Sequence, residues 1–497
     1  MAMEFFKPVI KTTPYLKILI NIGCRLDIPM GSPVLGNHNA YYTNGGHNGC
    51  LVVLGPGNSY KSAIADHINN VAAYRISPYS TGQKYDTENN VYIPGLERRL
   101  QRIDPKADWF ETGRWQVTDN TVYMGDEWFQ TFKEFCSAKI KEGAKLRFNT
   151  PLQNKDGTQI KTVLPTFVTI DSISKLEVSK IEETRNKTTI GDSGQNMISA
   201  HSGLYKKNMI DELPKLLATS NSYMVMTMHY GELKQFDPYA PVRKQLNLLG
   251  TGMKIKGVPE NITFLSTGML LVDGISKLAN NSDKKVLEYP LKGNGNDNDV
   301  NDLNLLKILQ VRCKTGPSGY SIPIIVSQKY GVLENLSDFH FLRMSKGFGL
   351  TGDMSLTGNF KDSYCVLMPD VKLTRTTVRS LLDENPKLSR AISICADLFQ
   401  MSQFWYEHLK QIDERLLDFT KDPKLLYDKI IEQGYSWDII LSTRYWWTLD
   451  DSNYDEQFLS TLDIMRMALG LYHPYWLEKD KVTISKKYLK KESVKKE

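Results

Sequence analysis

Short apolar runs alternate with amphipathic stretches along residues 49–350. This alternation predicts an α/β core with a mainly parallel central sheet, because helical crossovers join parallel strands. The clearest apolar runs are Cys50–Leu54, Thr166–Ile170 and Tyr223–Met228. Each run is followed by glycine or polar residues, which are the candidates for chemistry.

Shorter patterns give local predictions. Residues 126–142 carry apolar side chains at helical spacing, and residues 118–123 form a short strand candidate. Residues 149–158 predict an inserted turn or hairpin. The polar stretch 292–302 predicts a loop.

The pattern changes at about Thr351, and residues 371–475 predict a second, mostly α-helical domain rich in aromatic side chains. Core packing is the favoured role of these aromatics, because such side chains dominate buried area, and stacking on nucleic-acid bases is the alternative. The aromatics are Trp405, Tyr406, Trp437, Trp446 and Trp447. The chain thus divides into an N-terminal lead-in or oligomerisation segment (1–48), an α/β core (49–350), a helical domain (351–478) and a basic tail (479–497).

Composition narrows the class of protein. The 497 residues are 41% hydrophobic and 24% charged, which is ordinary for a globular protein. No run approaches the ~20 apolar residues that a membrane span needs, and the N-terminus lacks the order of a signal peptide. Six scattered cysteines without a CxxC pair favour reduced thiols and a cytoplasmic location, and they argue against a zinc site.

The net charge of +6 is concentrated at the C-terminus, where residues 479–497 hold eight lysines against three acidic residues. A basic tail attracts nucleic acid or an acidic partner, and a solvated end is the equally weighted alternative.

The turn after Cys50–Leu54 has the features of a phosphate cradle. Backbone N–H groups of such a turn and of the following helix point at anionic oxygens, Lys61 supplies a point charge, and Ser62 can ligate Mg²⁺. Tyr60 stands where the pattern expects a second glycine. The alternative interpretation is a glycine-rich turn that arose by chance and binds no phosphate. The cradle residues are Gly55, Pro56, Gly57, Asn58, Ser59, Tyr60, Lys61 and Ser62.

Further polar residues extend this candidate site. Asp171 ends a β-rich run, and a carboxylate there would serve Mg²⁺ beside a phosphate-loop strand. Glu88 follows Lys61 by about one helix and one strand, so its carboxylate is a candidate to polarise an attacking water. His229 ends another apolar run and could contact the γ-phosphate. Taken alone, a surface acidic turn is an equally weighted interpretation of Glu88, and a lone histidine after a strand is more often structural.

These elements, in this order and spacing, resemble the ATPase core of the RecA recombinases, most closely the phage UvsX branch, in which an aromatic residue also stands at the position of Tyr60. The resemblance covers roughly residues 25–350. It implies a RecA-type P-loop ATPase core that uses ATP and Mg²⁺. It also implies that Glu88 activates water and that His229 senses the γ-phosphate.

The resemblance also implies DNA contacts and a shared active site. Residues 190–193 match the segment beside the first DNA-binding loop, and the polar stretch from Lys234 to Lys254 matches the second. The implied DNA-binding residues are Gly191, Asp192, Ser193, Lys234, Arg243, Lys244 and Lys254. Arg312 or Lys314 resembles the basic residue that reaches the ATP of a neighbouring subunit.

The sequence therefore predicts a DNA-dependent ATPase that performs strand exchange in recombination and repair. Its expected partners are single-stranded DNA, homologous duplex DNA, further copies of itself in a helical filament, and a single-strand-binding or loader protein. Through the phage resemblance, its expected place is the cytoplasm of an infected bacterial cell, with no membrane partner. The alternatives are a RecA-fold replicative helicase and a non-hydrolysing ATP-binding DNA-filament protein.

Overall fold

The apolar run before the glycine turn forms a fully buried strand at the centre of a large sheet. The computed structural model describes residues 17–23, 25–143, 145, 147–154, 156–187, 193–232, 244–279, 286–291, 299–353, 360–449 and 457–489, without the side chains of 193–200. The strands are β1 (Ser32–Leu35), β2 (Tyr41–Asn44), β3 (Cys50–Gly55), β4 (Thr81–Asp86), β5 (Trp115–Asp119), β6 (Arg147–Gln153), β7 (Gln159–Val163), β8 (Thr166–Asp171), β9 (Ser222–Glu232), β10 (Met253–Ile255), β11 (Gly268–Lys277), β12 (Leu303–Cys313), β13 (Ser321–Ser327), β14 (Gly331–Val332), β15 (Leu350–Gly352), β16 (Ser363–Cys365) and β17 (Met368–Leu373).

Helices occupy the intervening segments. They are α1 (Lys61–Ile76), α2 (Ile93–Ile103), α3 (Gly125–Glu142), α4 (Ser179–Lys187), α5 (Ser193–Ser220), α6 (Ile262–Leu265), α7 (Glu334–Met344), α8 (Val378–Glu384), α9 (Pro386–Phe404), α10 (Tyr406–Ile412), α11 (Leu416–Phe419), α12 (Pro423–Glu432), α13 (Trp437–Leu441) and α14 (Thr461–Ala468). Short 3₁₀ turns lie at Asn37–Asn39, Ile173–Lys175 and Lys486–Tyr488.

Among the described residues, ten strands form the main sheet, in the order β14-β13-β12-β11-β3-β9-β8-β4-β5, with β10 paired to the end of β9. The six strands from β11 to β5 are parallel, and β10, β12, β13 and β14 join antiparallel. The prediction of a mainly parallel central sheet is confirmed. Strands buried on both faces read as continuous apolar runs, which is why the sequence pattern was clear here.

Alternate residues of β3 face two different cores. Leu51 and Val53 pack into a cluster with Ile64 of α1, whereas Val52 and Leu54 pack into a cluster with residues of α3 and α5. Helices therefore cover both faces of the sheet, and the carboxyl ends of its parallel strands share one edge.

Of the four local predictions, two agree with the structure, one is displaced, and one lies mostly outside the described residues. The helix predicted at 126–142 is α3, and the insertion at 149–158 is the turn of the β6–β7 hairpin, both as expected. The strand predicted at 118–123 is displaced: β5 ends at Asp119, because the Asp119 side chain accepts the Thr121 N–H and closes a turn. Most of the predicted loop, residues 292–298, lies outside the described residues.

The C-terminal region is mostly helical after the small sheet β15–β17. Trp405, Trp437 and Trp447 are buried in the same cluster as the α1 face of the main sheet, as core packing requires. Tyr406 is exposed and Trp446 is half-buried. The division of the chain into four parts stays a prediction.

Candidate functional site

The turn between β3 and α1 is the first component of the site. Pro56, Gly57 and Asn58 are exposed, and the Ser59 hydroxyl donates to the Pro56 carbonyl over 2.8 Å. Among the described side chains, none caps the N-terminus of α1. The first N–H groups of this long helix therefore keep their capacity to bind an anion.

Tyr60, the departure from the glycine pattern, has a left-handed backbone with φ of 61°. That conformation costs a non-glycine residue about 1–2 kcal/mol. The tyrosine ring is half-buried, and its hydroxyl accepts a 2.8 Å hydrogen bond from Asn304 at the start of β12. Burial raises the pKa of Tyr60, while hydrogen bonds with Gln328 and Asn304 act against that rise. The side chain thus links the turn to β12, which lies two strands away from β3 in the sheet.

Lys61 is buried at the start of α1. Its Nζ donates to the Pro56 carbonyl and to the Ser59 hydroxyl, 3.4 Å away. Burial lowers the pKa of Lys61, and the carboxylates of Asp171 and Glu88 oppose that shift. The lysine, the turn and both predicted carboxylates therefore lie within electrostatic reach of one another.

Asp171 ends β8, but β8 is not the neighbour of β3. Strand β9 lies between them, so the expectation of adjacent strands is wrong in this detail. Thr227 of β9 donates to Asp171 over 2.7 Å. Burial favours a raised pKa for Asp171, but the charge of Lys84 and hydrogen bonds from Thr227 and Ser62 outweigh it, and the pKa is lowered. The carboxylate is therefore held charged beside Ser62.

Lys84 is a site residue that sequence reasoning missed. It is buried on β4, and its Nζ lies 2.8 Å from Asp66 Oδ1 of α1 and 3.2 Å from Asp171 Oδ2. Burial would lower the pKa of Lys84, but the two carboxylates raise it instead. The sequence signal for this residue was a lysine within a short predicted strand. A lysine buried in a sheet needs a carboxylate partner, because buried lysines are rare unless paired.

Glu88 and His229 come together at the carboxyl edge of the sheet. His229 Nε2 lies 3.1 Å from Glu88 Oε1, and the Ser172 hydroxyl lies 3.4 Å from the same oxygen. The Asp86 carboxylate holds the Glu88 loop in place. It accepts hydrogen bonds from the backbone N–H of Glu88 at 3.0 Å and from the backbone N–H groups of Asn90 and Val91. The glutamate is about one-third exposed, so water reaches it.

Ser174 links His229 to a neighbouring surface. Its hydroxyl accepts the His229 N–H over 3.0 Å and donates to the Lys256 carbonyl over 2.8 Å. The Lys256 N–H in turn donates to the His229 carbonyl over 2.8 Å. The backbone of the candidate sensor is thus tied directly to the segment after β10.

That segment forms one wall of a groove of about 940 Å³, which we call the basic groove. Among the described residues, six basic side chains line it against one acidic side chain, Glu177; they are Lys175, Arg185, Lys206, Lys207, Lys254 and Lys256. Lys206 is buried at the base of the groove and donates to the Ser174 carbonyl at 3.1 Å and to the Gly257 carbonyl at 2.9 Å. Burial lowers the pKa of Lys206 to about 8, with Glu177 opposing the shift.

The residues predicted to bind DNA are only partly described. Lys254 lines the basic groove, and Lys244 is exposed next to Gln245, whose side chain accepts the Ile255 N–H of β10. Ser193 begins α5. Gly191, Asp192, Lys234 and Arg243 lie outside the described residues.

Arg312 and Lys314 are remote from this edge. Arg312 pairs with Met269 at the start of β11, which runs parallel to β3, so both basic residues lie where the parallel strands begin. The guanidinium of Arg312 donates to the Ser266 and Phe264 carbonyls at 3.4 and 3.2 Å. The fold does not bring these residues to the phosphate turn of their own chain.

Within the described residues, no group of three or more His, Cys, Asp or Glu side chains is arranged to hold a metal ion. The Ser62 hydroxyl and the Asp171 carboxylate are oxygen donors of the kind that Mg²⁺ accepts together with phosphate oxygens and water. The residues therefore fit a Mg²⁺ ion that arrives with a nucleotide.

No family model matches the chain, and a search among curated proteins finds no match. In the described ranges, no helix has the length and apolar character to span a bilayer.

Proposed function

We propose that this protein is an ATP-dependent DNA strand-exchange protein with a RecA-type P-loop core. It would act as a DNA-dependent ATPase in recombination and repair, as a filament on single-stranded DNA. The observation that carries the proposal is the 3.1 Å contact between Glu88 and His229 at the edge where Lys61, Ser62 and Asp171 also meet.

The proposed chemistry follows from these contacts. The turn from Gly55 to Ser62 would hold the phosphates of ATP through backbone N–H groups, with Lys61 as the point charge. A bound Mg²⁺ ion would neutralise charge that develops on the phosphate oxygens. Glu88 would accept the proton of the attacking water, since its carboxylate is solvent-accessible and oriented by His229 and Ser172.

Coupling to DNA is supported by the position of Ser174. A change at His229 would move the Lys256 backbone through the hydrogen bonds that join them. The basic groove beside Lys256 would hold the DNA backbone, because lysines neutralise phosphates without reading sequence. Nucleotide state would thereby alter affinity for DNA.

Assembly is supported by the location of Arg312 and Lys314 at the opposite edge of the sheet. Neither residue can serve the phosphate turn of its own chain, but a head-to-tail neighbour could bring them to it. Positive charge supplied by a neighbour would stabilise the transition state of phosphoryl transfer. Such heterologous contacts generate either open filaments or closed rings.

The test combines ATP hydrolysis, with and without circular single-stranded DNA, with electron microscopy of the complexes formed with a slowly hydrolysed ATP analogue. The expected results are DNA-stimulated hydrolysis, helical filaments, and strand transfer from homologous but not from unrelated duplex DNA.

Other outcomes overturn the proposal in distinguishable ways. Closed rings that unwind forked DNA would identify a helicase. DNA-bound filaments without ATP turnover would identify a non-hydrolysing filament protein. Absence of ATP binding would remove the phosphate-turn interpretation itself.

A further inference from the structure

A second cleft lies far along the chain from the phosphate turn, in the helical region. It has a volume of about 1430 Å³ and is formed by the end of α8, the start of α9, the segment 441–446 and the stretch around residue 484. We call it the α9 cleft. Its apolar side chains are Leu381, Leu382, Leu441, Trp446, Ile484 and Leu489.

Arg390 of α9 lines this cleft and is 5% exposed. One of its nitrogens, Nη2, donates to the Leu459 carbonyl over 2.8 Å, and its guanidinium lies 5.3 Å from the centre of the Tyr445 ring. Among the described residues, the remaining two nitrogens, Nε and Nη1, have no hydrogen-bond partner, and no carboxylate lies within ion-pair distance of the group.

This arginine differs from comparable ones in the same molecule. Among the described residues, five other buried arginines each pair with a carboxylate at 2.7–3.1 Å: Arg25 with Asp338, Arg75 with Glu334, Arg343 with Glu288, Arg379 with Asp302, and Arg466 with Asp463. Burying a charge without such a partner costs free energy, so an unpaired buried arginine indicates a site where a ligand could supply the missing negative charge.

Ser393 supplies a second unsatisfied group on the same wall. It lies three residues after Arg390 on α9, so the two side chains share a helix face. Its side chain is 4% exposed and lines the cleft, and its Oγ has no hydrogen-bond partner in the part of the chain that the structure describes. The Ser393 hydroxyl and the two unpartnered Arg390 nitrogens are hydrogen-bond donors of the kind that bind an oxyanion.

The charged groups nearby leave this donor set unmatched. Asp383 pairs with Arg102 at 2.6 Å, and Lys387 pairs with Asp438. Asp397, further along α9, lies 3.4 Å from Arg25, and its charge opposes the lowering of the Arg390 pKa by burial without forming an ion pair with it. Glu384 remains at the outer rim of the cleft.

We propose that the α9 cleft binds an acidic peptide segment of a partner protein. A carboxylate of the peptide would accept hydrogen bonds from Arg390 and Ser393, and its apolar neighbours would pack against Leu381, Leu441 and Ile484. The cleft exceeds the ~300–1,000 Å³ typical of small-molecule sites, and its largely apolar lining does not suit a lone inorganic anion. The site is independent of the proposed ATPase.

The experiment measures fluorescence polarisation of short labelled peptides of leucine and phenylalanine with one central aspartate, against the matched asparagine peptide. The full-length protein should prefer the aspartate peptide by at least ~10-fold, the scale of a charged hydrogen bond. Arg390→Met should abolish that preference, and Ser393→Ala should weaken it. Lys410→Met, which removes an exposed cation of α10 that does not line the cleft, should leave the preference unchanged.

Thermal unfolding separates a binding role from a structural one. Arg390→Met should keep or raise the melting temperature, because it removes an unpaired buried charge. Arg379→Met, which strands Asp302, should lower it. Equal binding of the two peptides to the native protein, undiminished preference in Arg390→Met, or equal loss of stability in both arginine variants would each overturn the proposal.

Two further measurements, competition by phosphate and ATP hydrolysis, complete the test. Inorganic phosphate at millimolar concentration should not displace the aspartate peptide; full displacement would indicate an anion site only and overturn the peptide assignment. DNA-stimulated ATP hydrolysis should be unchanged in Arg390→Met, so failure of either proposal is seen separately.

Discussion

His229 Nε2 and Glu88 Oε1 lie 3.1 Å apart although 141 residues separate them in the chain. The contact joins His229 of β9, three residues before that strand ends, to the loop after β4, across the intervening strand β8. Because Ser172, directly after β8, also approaches Glu88, side chains from two different strand segments contact one carboxylate. That arrangement leads to the first prediction.

Glu88→Gln should bind ATP normally but hydrolyse it at least ~10²-fold more slowly, the scale of a lost general base. The amide keeps the shape and the contact with His229 but cannot accept a proton. Glu111→Gln, on an exposed turn, is the matched control and should hydrolyse at the native rate. Turnover that barely changes in Glu88→Gln would mean that water is activated elsewhere.

Lys61→Ala should lose ATP hydrolysis, because it removes the point charge proposed to hold the phosphates. The variant should remain folded, since the hydrogen bonds of Lys61 go to oxygens of its own turn. Activity and circular dichroism are measured on the same preparation. Lys84→Ala is the contrasting variant: it strands Asp66 and Asp171 without their buried partner and should lose about 3–5 kcal/mol of stability. Near-normal hydrolysis by folded Lys61→Ala would refute the phosphate-turn assignment.

Replacing the exposed groove lysines Lys207, Lys254 and Lys256 by alanine should weaken single-stranded DNA binding for all sequences alike. The slope of log affinity against log salt should become shallower by about one for each DNA phosphate that these lysines neutralise. The control replaces three exposed lysines of the helical region, Lys410, Lys421 and Lys424, with the same change in net charge. Equal weakening of DNA binding in both triple variants would show that only total charge matters.

Arg312→Ala combined with Lys314→Ala should leave ATP binding intact and abolish DNA-stimulated hydrolysis, because both residues lie at the far edge of the sheet. Mixing this double variant with Glu88→Gln restores interfaces in which an intact Glu88 meets an intact basic pair. Hydrolysis should recover in the mixture. No recovery, with co-assembly confirmed by electron microscopy, would place the basic pair outside the shared site.

Lys139 of α3 predicts a pH dependence of stability. Burial lowers its pKa from 10.5 to about 7, and its Nζ donates to the Thr166 hydroxyl at 2.8 Å and to a more distant carbonyl at 3.5 Å. Between pH 7 and 10.5 the unfolded chain carries a proton on this lysine that the folded chain lacks, so the free energy of unfolding rises with pH in that window. Below pH 7 both states are protonated and the contribution is constant.

Urea unfolding of Lys139→Met checks this. The native protein should gain stability relative to the variant as pH rises from 7 to 10, at most about 1.4 kcal/mol for each unit. Lys141→Met, which removes an exposed lysine of the same helix, is the matched control. A pH-independent difference for Lys139→Met would contradict the shift.

Several elements of the fold could be predicted from the sequence, because the patterns that indicate them are local. A buried parallel strand is a continuous apolar run, and the turn from Gly55 to Ser62 lies directly between such a run and a helix. The same locality explains the α3 helix and the β6–β7 hairpin. The extent of β5 was missed because the turn at Asp119 depends on a single side-chain hydrogen bond.

The sequence by itself determined the buried strands β3, β8 and β9 and the glycine turn between β3 and a helix. Only the tertiary structure decided that β9 separates β3 from β8, that Lys84 lies between Asp66 and Asp171, and that Arg390 has no carboxylate partner among the described residues. Strand order and charge pairing are contacts between residues far apart in the chain, and they are set by how helices and strands pack. A local pattern carries the propensity of a segment, but it does not specify which distant segment will satisfy its buried charges.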